Sequence, residues 1–289
     1  MWYNDKRQTG VPQISAGSAR RAMNEMLKDW IKQIKIFLLD MDGTIYIGDK
    51  PIGGMSETLA AIRASGRKVV YCTNNSSRTA DEYVQKLKKI GLYGEGDEIY
   101  TSSMATIGYL NSLYRDKRVY VCATEAVKAE FAAGGIHLTE EDPDVCVLAY
   151  DTELTYAKLE KMNRFLVKGA VYIATHPDDV CPAPEVYKPD VGSFIQLLRC
   201  SSGREPDVIC GKPFQVMGEA ILNRYHVSPA EIVMVGDRPH TDIRFGKNNG
   251  FHTILVLSGE TDAHKAETLP ESDTPDVVLQ SLNDVVGDL

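Results

Sequence analysis

No apolar run in this 289-residue chain approaches the ~20 residues that a membrane-spanning helix needs. The N-terminal stretch Met1-Trp2-Tyr3-Asn4-Asp5-Lys6-Arg7 lacks the apolar core of a signal peptide. A cytoplasmic protein with no membrane partner is therefore expected. Basic residues are not in excess: 32 Lys and Arg face 40 Asp and Glu, a formal net charge of −8. Nucleic-acid recognition needs a basic face, so no nucleic-acid partner is expected. Small phosphorylated molecules stay open, because local charge decides their binding. Cysteine is sparse, with six residues and no C-x-x-C pair. Cys72, Cys122, Cys146 and Cys210 fall in strand-like apolar runs and read as small buried hydrophobes of a reducing compartment, not as a disulfide framework. No internal repeat or low-complexity tract stands out. The length predicts about two domains, and a hydrophobic content of 43% is ample for a globular core.

What is present is a series of apolar runs, each ending in chemistry. Ile34-Lys35-Ile36-Phe37-Leu38-Leu39 fits a buried parallel strand and ends in Asp40-Met41-Asp42-Gly43-Thr44. In open α/β sheets chemistry sits just beyond the carboxyl ends of strands. Two carboxylates two residues apart suit phosphoryl transfer: one can attack phosphorus, the other can exchange a proton with the leaving group and then with water. Val69-Val70-Tyr71-Cys72 reads as a second strand, and Thr73-Asn74-Asn75-Ser76 at its end offers a hydroxyl and amide donors to phosphate oxygens. Val208-Ile209-Cys210 reads as a third strand ending in Gly211-Lys212-Pro213, where a lysine can neutralise a phosphoryl dianion. Ile232-Val233-Met234-Val235 reads as a fourth, leading into Gly236-Asp237-Arg238-Pro239-His240-Thr241-Asp242-Ile243. The two acids of that loop, Asp237 and Asp242, suit a hard-cation site. Mg²⁺ keeps several waters and needs only one or two carboxylates plus a substrate oxygen.

With these motifs in this order, the chain resembles the haloacid dehalogenase superfamily of phosphotransferases, and within it the NagD-like, or 4-nitrophenyl phosphatase, branch. The likeness to that branch also rests on Thr101-Ser102-Ser103-Met104-Ala105-Thr106, Ala174-Thr175-His176-Pro177-Asp178, Pro189-Asp190-Val191-Gly192-Ser193 and Ile254-Leu255-Val256-Leu257-Ser258-Gly259. It runs from about Ile34 to the C-terminus. The resemblance implies Mg²⁺-dependent hydrolysis of a small phosphomonoester, with Asp40 as nucleophile and Asp42 as general acid/base. It implies a metal held by the carboxylates of Asp40 and Asp237 and the backbone carbonyl of Asp42. Asp242 would orient a metal water or Lys212 without touching the ion, and Thr73, the backbone at Asn74 and Lys212 would clamp the phosphoryl oxygens. Attack by one anion on another is repulsive unless cations converge with them, which supports the same grouping on physical grounds.

The expected fold is a doubly wound, Rossmann-like parallel sheet with a second α/β unit inserted. Helices are predicted over Ser56–Ser65, Thr79–Ile90 and Ser102–Tyr114, with room for only a short hairpin flap after Thr44. From Thr73 to Lys212 the interval far exceeds the ~30 residues of one crossover. Its strand-like runs Arg118–Cys122, Asp144–Ala149 and Ala170–Ala174 alternate with helical patterns over Thr124–Ala133 and Thr155–Gly169. The division expected is an N-terminal extension (1–33), a core (34–114 and 207–289) and an inserted unit (115–206), which the resemblance makes a C2-type cap that selects substrate. In the extension, Ala22, Met23, Met26, Leu27, Trp30, Ile31 and Ile34 recur at helical spacing. That helix either packs on its own core or makes a homodimer contact. Asn75, His176 and Asp178 are candidate substrate contacts. Against the latter two stands a plain turn in Thr175-His176-Pro177-Asp178. Arg238 reads as structural or substrate-facing, and Pro239 is an unusual residue inside its motif.

Three other functions compete. A phospho-accepting receiver domain has no acid/base partner two residues after its aspartate and is a shorter chain. Dehalogenase chemistry needs neither a second acid nor a metal, so Asp42, Asp237 and Asp242 speak against it. A catalytically weak sugar-phosphate or nucleotide sensor on the same fold would keep every one of these residues, and a steady-state phosphatase assay separates it from the leading reading.

Overall fold

The computed structural model describes residues 30–183 and 186–289. Most of the helix expected in the N-terminal extension lies outside them. Its last apolar positions, Trp30, Ile31 and Ile34, are buried around a 3₁₀ turn over Ile31–Gln33, and the Trp30 ring stacks on His252 with centroids 4.3 Å apart.

The first stretch of chain forms β1 (Ile36–Leu39), a hairpin of β2 (Tyr46–Ile47) and β3 (Lys50–Pro51), then β4 (Lys68–Thr73) and β5 (Glu98–Thr101). The inserted stretch contributes β6 (Val119–Cys122), β7 (Val145–Leu148), β8 (Val171–Ala174), a second hairpin of β9 (Val180–Cys181) and β10 (Lys188–Pro189), and the short β11 (Val208–Ile209). The chain then completes the first sheet with β12 (Ile232–Gly236), β13 (His252–Val256) and β14 (Val277–Leu279). The large sheet has the order β14-β13-β12-β1-β4-β5 and is parallel throughout.

All four residues of β1 are buried, because helices cover both faces of a parallel sheet. Phe37 and Leu39 join one apolar cluster with Val69, Tyr71, Val233 and Val235, while Ile36 and Leu38 join another with Val70, Cys72 and Met234. That division of alternate side chains between two clusters is the doubly wound architecture expected from the sequence. The strand order reverses at β1, from which the chain first runs outward through β4 and β5 and later returns to β12 on the other side. A crevice opens at such a switch point beyond the strand ends, and Asp40, Thr73 and Asp237 border it.

The second sheet has the order β11-β8-β7-β6, again parallel. Its helices, Glu125–Ala133, Tyr156–Val167 and Val191–Ser202, begin on Thr124, Thr155 and Asp190, whose side chains each accept a first-turn N–H. One correction concerns Val208-Ile209. The sequence counted this run with the core strands, but it pairs with Ile173 and Ala174 of β8. An isolated two-residue apolar run carries no signal of which sheet it joins. Lys212 therefore reaches the crevice from the segment in which the chain leaves the second sheet.

Candidate active site

Asp40 stands one residue past β1, its backbone N–H donating to Val235 O on the neighbouring strand (2.9 Å). The chain turns at once: Gly43 N donates to Tyr46 O (2.8 Å) and Ile45 N to Met41 O (2.9 Å). Gly43 has φ +87°, and a side chain there would collide with the Asp237 carboxylate, so glycine is required twice over. Asp42 projects into solvent at the cavity mouth. Partial desolvation raises its pKa and the Asp40 carboxylate adds to the rise, while Lys86 opposes it.

Lys212 is the electrostatic centre. Its ammonium donates to Asp40 Oδ1 (2.7 Å), Asp242 Oδ1 (2.7 Å) and Cys72 O (3.2 Å), which uses all three donors. The side chain is 1% exposed. Burial opposes its charge, yet Asp242 and Asp40 outweigh that cost and hold its pKa above the ordinary lysine value. Asn74 fixes the lysine backbone from both sides, its Oδ1 accepting from Lys212 N (2.8 Å) and its Nδ2 donating to Lys212 O (2.9 Å). The same Nδ2 lies 3.2 Å from both Asp178 oxygens, so one amide links a core loop to the inserted unit.

Asp237 is buried at the end of β12, with Oδ2 accepting from Glu260 N (2.7 Å) and Oδ1 only a long contact from Thr44 Oγ1 (3.4 Å). Burial first, then the nearby charges of Asp40 and Asp242, push its pKa up to about 7. Asp242 is held on both sides: Oδ1 by Lys212 and Oδ2 by Arg238 N (3.2 Å). Pro239 opens a five-residue π turn, Pro239–Ile243, a position where the missing N–H leaves no hydrogen bond unmade.

Oxygens of Asp40, Asp237 and Asp242 lie within 4.8 Å of one another. Three buried or half-buried carboxylates with one lysine between them are a net negative, all-oxygen donor set that fits a hard divalent cation. Since Asp242 has both oxygens engaged, Asp40 and Asp237 are the carboxylates with oxygen left to offer.

A sequence model of haloacid dehalogenase-like hydrolases matches residues 37–137, and a HAD-hydrolase-like model matches residues 209–285. Phosphoglycolate phosphatase 1A of Arabidopsis thaliana is 33% identical over 282 residues, covering 89% of this chain and 78% of that protein. The chain belongs to the haloacid dehalogenase-like hydrolases. Among solved structures, a 4-nitrophenylphosphatase from Thermotoga maritima superposes with a TM-score of 0.85 at 38% identity, covering 91% of this chain and 98% of that one. A glycerol phosphate phosphatase from Mycobacterium tuberculosis, solved in complex with magnesium, gives 0.81 at 28% identity, covering 88% and 77%. This haloacid dehalogenase-like protein falls in the NagD-like branch, and it is a hydrolase of phosphoric monoesters.

The hydrolase site extends into a cavity of about 630 Å³ between the two sheets' loops, lined by Asp40, Asp42, Thr73, Asn75, Asp178 and Lys212 among others. Thr73 Oγ1 accepts from Asn75 N (3.1 Å), and Asn75 Oδ1 accepts from Ser77 N (2.9 Å), so this loop is held by its own side chains. His176 is a second correction. It is fully buried, with Nε2 3.0 Å from Asp190 Oδ1 and Nδ1 3.0 Å from Thr175 Oγ1, and it does not line the cavity. Burial works against its protonation, but Asp190 outweighs it and raises its pKa. Asp178, two residues on, does face the cavity. Sequence reasoning passed over Tyr46, Arg78, Lys86 and Lys188, which also line it. In the run Lys86-Leu87-Lys88-Lys89 nothing marks one lysine from the others. Only helix phase relative to Tyr83 assigns Lys86 to the cavity side. No helix among the described residues is long and apolar enough to cross a membrane.

Proposed function

We propose that the protein is a Mg²⁺-dependent phosphatase of small phosphomonoesters that works through a phosphorylated Asp40. The observation that carries this reading is the Lys212 ammonium shared between Asp40 and Asp242 at 2.7 Å each, with Asp237 beside them. One oxygen of Asp40 is fixed by Lys212, which aims the other at the cavity as the attacking atom. Attack on phosphorus forms the Asp40–phosphoryl bond and breaks the bond to the leaving oxygen. Asp42, whose raised pKa favours the acid form, donates the proton that the leaving oxygen needs. As a carboxylate it then takes a proton from the water that attacks phosphorus, releasing phosphate and restoring Asp40. Thr73, the backbone at Asn74 and Lys212 hold the phosphoryl oxygens. Asp40, Asp237 and the Asp42 backbone carbonyl would hold Mg²⁺, whose charge would let an anionic carboxylate approach an anionic phosphoryl group.

Asp42→Asn tests the reading. With 4-nitrophenyl phosphate the leaving group departs without an acid, whereas hydrolysis of the intermediate lacks its base. Acid quenching followed by peptide mass analysis should find a phosphoryl adduct on the peptide containing Asp40. A variant that turns over slowly with no such adduct at any time point overturns the covalent route.

A further inference from the structure

Five cations line the cavity beside seven carboxylates, and the cations are not all taken up by the phosphoryl site. Lys212 is engaged by Asp40 and Asp242, and Arg238 pairs with Glu260 at 3.0 Å. Three further cations line the same cavity: Arg78, Lys86 and Lys188. Arg78 and Lys188 are exposed, and their side chains have no ion-pair or hydrogen-bond partner among the described residues. Lys86 has only Asp49, at 3.9 Å, and the face of Tyr46, 3.9 Å from its ring centroid. Its expected helical partner is Glu82, four residues earlier. Glu82 is instead folded back on the helix start, its Oε2 accepting from Thr79 N (2.8 Å) and Oγ1 (3.1 Å). Apart from Asp42, the acid nearest in effect to Lys86, the other wall carboxylates are also committed. Glu153 accepts from Glu125 N (2.9 Å), Asp178 from Asn74, and Asp190 from Val191 N (2.7 Å) while facing His176.

The position of these cations matters as much as their number. Among charged groups, Lys86 acts most strongly on Asp42, and Arg78 acts on Lys86. Lys86 therefore neighbours the proton donor, where the leaving group must lie for its oxygen to be protonated, and Arg78 lines the same cavity close to Lys86. Lys188 enters on β10, from the inserted unit. With a neutral leaving group Lys86 would keep only Asp42 and Asp49, and the exposed Arg78 and Lys188 only solvent, with no anion held among the three.

We infer that the substrate is a small phosphomonoester whose leaving group bears a second anionic group, carboxylate or phosphate, held between Arg78 and Lys86 on one wall and Lys188 on the other. The inference rests on the phosphatase reading and narrows it.

The test compares kcat/KM in Mg²⁺ for phosphoglycolate, its neutral carboxamide and ethylene glycol bisphosphate. The amide is the better leaving group, so intrinsic reactivity cannot mimic a preference for the acid. Wild type should favour one or both anionic-tail probes over the amide by about 10- to 100-fold, the usual worth of charge-assisted hydrogen bonds. Preference for the acid alone identifies a carboxylate, for the bisphosphate alone a second phosphate. The preference should shrink at high salt and fall at least about tenfold in the Arg78→Gln/Lys188→Gln variant. Turnover of all three probes at similar kcat/KM overturns the second-anion inference and leaves the phosphatase reading intact. No turnover of these probes or of 4-nitrophenyl phosphate overturns both. A wild-type preference unchanged in Arg78→Gln, Lys86→Gln and Lys188→Gln removes these residues from the role. Should the double variant misfold, the wild-type ratio and its salt dependence still decide.

Discussion

Replacing Asp237 with Asn should make the metal-free protein more stable while abolishing its activity. The Asp237 carboxyl is buried beside Asp40 and Asp242, and its pKa lies at about 7, against roughly 3.9 in an unfolded chain. The folded state thus binds a proton that the unfolded state has already released. Stability in chelator is full below about pH 4 as far as this group is concerned, and it falls as pH rises towards 7. A rise of about three pKa units sets a ceiling on the order of 4 kcal/mol for the cost of the ionised group. Asn keeps the shape, can accept from Glu260 N as Asp237 does, and removes the charge. In EDTA, urea unfolding across pH 5 to 9 should show wild type losing ground to Asp237→Asn as pH rises, with the variant ahead by a few kcal/mol at pH 8. Saturating Mg²⁺ should reverse the order, because only wild type retains the ligand. Parallel pH profiles of the two proteins in EDTA would refute the view that like-charge crowding, relieved by a cation, defines this site.

Asp40→Asn is nearly isosteric, removes the nucleophile, and should leave less than about a hundredth of wild-type kcat, read by steady-state assay with the fold checked by circular dichroism. The loss of kcat/KM in Asp42→Asn, which reports the steps up to the phosphorylated enzyme, should be about 10²–10⁴-fold with alkyl phosphates and much smaller with 4-nitrophenyl phosphate; equal losses would count against Asp42 as proton donor. Activity should vanish in EDTA, return with Mg²⁺ and be inhibited by Ca²⁺, which prefers more ligands and draws a carboxylate into bidentate binding; undiminished activity in EDTA would reject the metal role. His176→Ala strips buried Asp190 and Thr175 of a partner and should cost on the order of 2–4 kcal/mol of stability. Its ratio of kcat/KM between two substrates should stay unchanged, and a shifted ratio would return His176 to the substrate site.

The sequence alone determined that a parallel sheet would form and where its chemistry would lie. β1, β4 and β12 are apolar runs that end in Asp40, Thr73 and Asp237, and a strand end in such a sheet has one place to point. The helices that start on Thr79, Thr101, Thr124 and Thr155 were legible because a side-chain cap and an apolar period are local signals. The charge logic of Asp40, Asp42, Lys212 and the Asp237 loop was legible because anionic chemistry demands its cations nearby. Tertiary structure alone decided the rest. Val208-Ile209 joined the second sheet because pairing partners, not its own two side chains, choose the sheet. His176 and Asp178, two residues apart in one loop, parted company: the ring was claimed by Asp190 fourteen residues later, while the carboxylate met Asn74 across the crevice. Arg78, Lys86 and Lys188 look like any solvated charges along the chain. What sets them apart is that folding brings them to one cavity while Glu82, the partner that spacing offers Lys86, is drawn away to cap its own helix, and no local pattern records both events.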